Sequence, residues 1–309
     1  MALLKPVAPS GGESAFRELL DTMNDSVSWL SDCGLTFDRL RLAQYRRDLE
    51  DLIRADETVN LPEIVRERVS HRLASSLLEA SELRRLYKGL VFFADGPLEH
   101  RLRDLIRRAG EEADEHARNS TDNPRDLGLE LTLAARLNAS GFALDFGPDG
   151  LFEANVGGRR VLFDCTRIQA NARDVGARIR DAQRRLADRC AEKEGARAIM
   201  ALAITRVDDL GLDFLTSPDP MQLSRRLEHA IDIFLDRYAH LWARPLNECL
   251  IGVWIYVSRP VLVGITNRLV YSQRFALESA PFISAEDDDL LWLIDQRFRF
   301  LAELTAALF

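Results

Sequence analysis

The spacing of apolar residues divides this chain in two. Before Asn119 they recur at the three-to-four-residue interval of amphipathic helices, with charged residues falling between them. That spacing predicts helices over Glu13–Leu30, Asp38–Ala55, Pro62–Tyr87 and Pro97–Ala117. In the second, Leu40, Leu42, Tyr45, Leu49 and Leu52 lie close to helical register and Asp38 is placed to cap the first turn. Pro62 suits the first turn of the third. Asn119-Ser120-Thr121-Asp122-Asn123-Pro124 is polar, turn-forming and closed by proline. The domain boundary is placed there, with a helical domain over 1–121 and an α/β domain over 122–309.

Beyond the break the period changes. A helix from Asp126 to Asn138 is stopped by Ser140-Gly141, and Phe142–Phe146 follows as a strand. Leu151–Val156 and the run from Arg159 to Asp164 flank Gly157-Gly158, a two-residue hairpin turn. A helix over Val175–Lys193 leads to Ala198–Ile204, apolar on both faces as in a central buried strand. Leu223–Trp242 reads as a helix, Cys249–Val257 and Pro260–Ile265 as two strands, and Asp287–Leu308 as a terminal helix. The strands 142–146, 151–156, 159–168 and 196–204 are expected in one mixed sheet.

The hairpin sets out the candidate chemistry. If its register runs outward from Val156 facing Arg159, Leu151 lies opposite Asp164 and Asp149 opposite Thr166. Asp149, Glu153, Asp164 and Thr166 then share a face, with Glu153 diagonal to Asp164. Magnesium takes hard oxygen ligands, commonly one or two carboxylates plus water and phosphate, and activates water for attack on phosphorus. Glu130 adds a third acid, on the apolar face of its helix beside Leu127, Ala134 and Leu137.

These residues resemble the core of the PD-(D/E)xK nuclease superfamily, the restriction-endonuclease-like fold. The segment from Pro124 to Val207 is similar to that core. Leu129–Leu137 resembles its first helix, Asp149 the acid that opens the second strand, and Asp164 the acid of the (D/E)xK tripeptide. Arg167 resembles the arginine that often follows the tripeptide, and Arg178–Leu186 the next helix. The resemblance implies a Mg²⁺-dependent phosphodiesterase acting on nucleic acid. Asp149, Asp164 and Glu130 would hold the metal, and Arg167, Arg178 and Arg184 would contact the nucleic acid. Thr166 stands where the tripeptide has lysine and brings a hydroxyl without a charge. Activity is therefore expected to be weak or lost, unless Gln169 or an arginine such as Arg167, or one from the helix after Asp164, replaces the missing cation. Two other readings stay open: a non-catalytic binding or scaffolding protein that kept the fold, and an unrelated α/β protein with accidental hairpin acids.

Composition narrows this only a little. A formal net charge of −8 over 309 residues disfavours a protein that coats nucleic acid non-specifically, though it allows a confined basic groove. Arg178, Arg180, Arg184, Arg185 and Arg189 form either such a groove or a solvated helix face. The five histidines show no metal-ligand spacing. Cys33, Cys165, Cys190 and Cys249 form no CxxC pair and are expected to be reduced, in a cytoplasmic protein. No segment has the length and apolarity of a membrane span, and the first residues do not read as a signal peptide.

Overall fold

A computed structural model describes residues 15–32, 39–57, 76, 80, 83, 84, 87, 124–146, 152–168, 172–205, 207, 210, 216–244, 248–263 and 268–308. The helices whose bounds are described begin with α1 (Ala15–Asp32) and α2 (Arg39–Glu57). Then follow α3 (Pro124–Ala139), β1 (Ala143–Phe146), β2 (Phe152–Val156), β3 (Arg159–Arg167), α4 (Ala172–Glu192) and β4 (Arg197–Ala203). The chain continues through β5 (Thr216–Ser217), α5 (Pro220–Tyr238), β6 (Leu250–Val263), β7 (Arg268–Ser279) and α6 (Ala285–Leu308). The expected helix over 97–117, most of that over 62–87, and the boundary at 119–123 lie outside the described residues.

The seven strands among the described residues form one mixed sheet. β1, β2 and β3 make an antiparallel meander, and β4 lies parallel to β3. β6 lies parallel to β4 and β5 on one edge and antiparallel to β7 on the other. The hairpin pairs from Val156↔Arg159 out to Phe152↔Phe163, the register its glycines predict. Both glycines have positive φ, 59° and 85°, as the tight turn requires.

Alternation along the strands sorts side chains into two cores. Phe163 and Cys165 face one layer with Leu129, Leu133 and Leu137 of α3 and Leu291 and Ile294 of α6. Leu162 and Ile168 face the other, with Val175, Ile179, Ala182 and Leu186 of α4 and Leu227 and Phe234 of α5. The sheet is thus sandwiched between helix pairs, and both faces of β4 are buried. Trp29 of α1 and Leu83 pack against the α3–α6 core, so the N-terminal helices touch the α/β unit.

Two strand expectations need correction. The strands expected over 249–257 and 260–265 are one continuous strand, β6, and Arg268–Ser279 forms a long strand the sequence reading did not assign. Pro260 does not break β6 because of where its missing donor points. The N–H of Ser258 points to the β4 side, donating to Thr205 Oγ1 at 3.1 Å, and Pro260 shares its parity. On that edge β4 pairs only as far as Tyr256 and β5 begins only at Leu262. The proline therefore removes no ladder bond there.

Candidate functional site

Asp164 lies on the face of β3 turned toward α4, together with Leu162 and Thr166. Its side chain is 1% exposed. Arg185 of α4 meets it in a two-pronged ion pair: Nε donates to Oδ2 at 2.7 Å and Nη2 donates to Oδ1 at 2.8 Å. The same Nη2 donates to Thr166 Oγ1 at 3.0 Å, and that hydroxyl donates to Asp164 Oδ1 at 3.0 Å. The three side chains close a ring. The guanidinium thus bridges the acid and the Thr166 hydroxyl.

The backbone explains how Arg185 arrives. Val175, Ile179, Ala182 and Leu186 form the buried stripe of α4, and Arg178 and Arg185 lie on one border of it, a heptad apart. Seven helical residues span about 10 Å, as do three strand residues. The helix runs antiparallel to β3, so Arg178 Nη1 reaches the Arg167 carbonyl at 3.5 Å while Arg185 reaches Asp164. A helix-only reading of the arginines could have noticed that border position. It could not have supplied the strand partner.

The expected constellation is only partly assembled. Glu153 pairs across from Leu162, which puts it on the Asp164 face as the register predicts. Its carboxylate is engaged elsewhere: Lys193 Nζ donates to Oε2 at 2.5 Å, and Arg160 Nε lies 3.9 Å from Oε1. Asp145, opposite Glu153 on β1, is exposed. Glu130 is buried on α3, which packs against the Phe163 and Cys165 face. The sheet therefore stands between Glu130 and Asp164, and the expectation that both acids edge one cation is corrected. The cause is strand parity: an acid one residue away from Cys165 points to the other layer. Asp149 and Gln169 lie outside the described residues.

The three expected nucleic-acid contacts also diverge. Arg167 points to the α3 side, away from Asp164, as alternation requires. Arg178 is half-buried against the end of β3, whereas Arg184 is exposed and donates to Asp181 Oδ1 at 3.0 Å. Among the described residues there is no group of three or more His, Cys, Asp or Glu that could hold a metal ion. Chemically, the arrangement as it stands is a neutralised acid. Three donors occupy the Asp164 oxygens, so a cation would compete with Arg185 for them.

No protein-family model, curated protein or solved structure matches the chain. None of the described helices is long and apolar enough to cross a membrane.

Proposed function

We propose that this chain is a non-catalytic binding or scaffolding protein built on a PD-(D/E)xK-type core, with its tripeptide acid closed by an arginine. The order helix, antiparallel meander, helix, parallel strand is the one expected of that core. The observation that carries the loss of catalysis is the bidentate Arg185–Asp164 pair. Metal catalysis needs carboxylate oxygens open to the ion, and both oxygens of Asp164 already accept from Arg185.

A specific observation favours a second reading, a weak Mg²⁺-dependent nuclease in which Arg185 supplies the missing charge. The Arg185 side chain is 49% exposed, so it has room to swing from the acid toward a phosphate.

The experiment is cleavage of plasmid DNA, single-stranded DNA and RNA with Mg²⁺ or Mn²⁺, alongside fluorescence anisotropy with the same nucleic acids across a salt series. The natural chain, Asp164→Ala, Arg185→Ala and Thr166→Lys combined with Arg185→Gln are compared. The binding reading expects no turnover by the natural chain, and any nucleic-acid affinity unchanged in Asp164→Ala. Turnover lost in both Asp164→Ala and Arg185→Ala would replace it with the nuclease reading. Turnover that survives Asp164→Ala would reject this site altogether.

A further inference from the structure

Cys190, in the last turns of α4, and Cys249, immediately before β6, are brought together by the fold although 59 positions separate them in sequence. Their thiols lie within hydrogen-bonding reach of each other. The Cys249 thiol donates to the carbonyl of Leu186 at 4.0 Å, one helical turn before Cys190. Neither thiol is in a disulfide. Cys249 is buried and Cys190 half-exposed, so the pair sits just beneath the surface. Arg197, at the first residue of β4, and Arg189 lie near it and favour negative charge on sulfur.

We propose that Cys190 and Cys249 form a redox-active dithiol that a small peroxide converts to a disulfide. The hydrogen bond with Cys190 and the Arg197 guanidinium draw the Cys249 thiol below its ordinary range, against the effect of burial. That bond, together with burial, pushes the Cys190 thiol up. Cys249 is thus the nucleophile and Cys190 the resolving thiol. The Cys249 thiolate attacks one peroxide oxygen, the O–O bond breaks, and hydroxide leaves to take a solvent proton. The Cys190 sulfur then attacks the Cys249 sulfenic acid, and its proton goes with the departing hydroxide as water. Two thiols lose two electrons, and one peroxide becomes two waters. The bridge would tie the end of α4 to the start of β6 and enclose β4, β5 and α5 in a covalent loop. The Asp164 site, on β3, meets α4 at Arg185 and shares no residue with this pair.

The test takes the full reduced chain, exposes it to hydrogen peroxide, blocks remaining thiols with a maleimide and maps peptides without reductant. Expected are a Cys190–Cys249 linked peptide that dithiothreitol splits and a rise in Tm on the order of 5 °C from loop closure. In Cys190→Ser, Cys249 should accumulate as a sulfenic acid captured by a dimedone probe. Both thiols recovered as maleimide adducts after peroxide, or a linkage through Cys33 or Cys165 instead, would overturn the proposal. The natural-chain map decides the matter even if the serine variant does not fold.

Discussion

Asp164 and Arg185 are unequal partners, and that inequality predicts what each truncation does. The aspartate side chain is 1% exposed and the arginine side chain 49%. Removing Asp164 leaves a guanidinium that water can reach. Removing Arg185 leaves a buried carboxylate with only the Thr166 hydroxyl for a partner. Arg185→Ala should therefore cost about 2–4 kcal/mol and Asp164→Ala about 1–2 kcal/mol. Because a buried pair gains little over an apolar substitute of similar volume, Asp164→Leu with Arg185→Met should lie closer to the parent than Arg185→Ala alone. Urea unfolding of the four proteins checks this, and a larger loss in Asp164→Ala than in Arg185→Ala would contradict the assigned burial. Thr166→Val keeps the shape and removes one donor and one acceptor from the ring, for a loss of about 1 kcal/mol.

The packing of α6 on β6 depends on a missing side chain. A Cβ at Gly252 would come within 2.9 Å of Leu291 Cδ2 and 3.1 Å of the Glu278 carbonyl oxygen. The leucine tip can rotate, but the β7 backbone beside it cannot. Gly252→Ala is expected to destabilise by about 1–3 kcal/mol through overpacking, seen as a lowered urea midpoint with an unchanged slope. Pairing Gly252→Ala with Leu291→Ala should recover only the part due to the leucine. Gly158→Ala offers a contrast, since nothing lies within 4 Å of its Cβ and the cost comes from the positive φ alone.

One acid joins three parts of the fold. Asp287 lies in the first turn of α6, where its N–H donates to Ser284 Oγ at 3.1 Å and Ser284 Oγ donates back to Oδ2 at 2.8 Å. Its Oδ1 accepts from Arg197 Nε of β4 at 2.6 Å, with Arg159 Nη1 of β3 at 3.5 Å. Burial pushes this carboxyl up, but the bonds from Arg197 and Ser284 and the charge of Arg159 outweigh it and hold the carboxyl below the ordinary aspartate range. The sign follows directly. A depressed acid stabilises the fold above its unfolded pKa, and that contribution is lost as pH falls through the folded value. Asp287→Asn should lower stability by about 1–2 kcal/mol at pH 7. The gap to the parent should begin to close as pH drops below about 4, the ordinary aspartate value, and vanish only below the depressed folded value, where the parent acid is protonated too. Tm measured from pH 3 to 7 reads both, and a constant gap across that range would remove Asp287 from the acid response.

Local patterning carried much of the architecture. The glycine pair set the hairpin register, the apolar run of β4 announced a strand buried on both faces, and α3, α4 and α5 begin and end within a few residues of where the sequence pattern put them. β7 escaped because its apolar residues come in triplets, Leu269–Tyr271 and Phe275–Leu277, split by the polar Ser272-Gln273-Arg274, without the alternation that marks a strand, and it becomes legible only as the partner of β6. The candidate site was legible in its strand half. Spacing along one strand put Asp164 and Thr166 on one face and Arg167 on the other, because side-chain alternation is a local property. Which helix covers each face is not local. It follows from how α3 and α4 pack on the sheet, and that packing sets Glu130 on the far side and brings Arg185 onto Asp164. The meeting of Cys190 with Cys249 has the same origin: the chain folds over 59 positions to place a helix end against a strand start, and no spacing in the sequence encodes that contact.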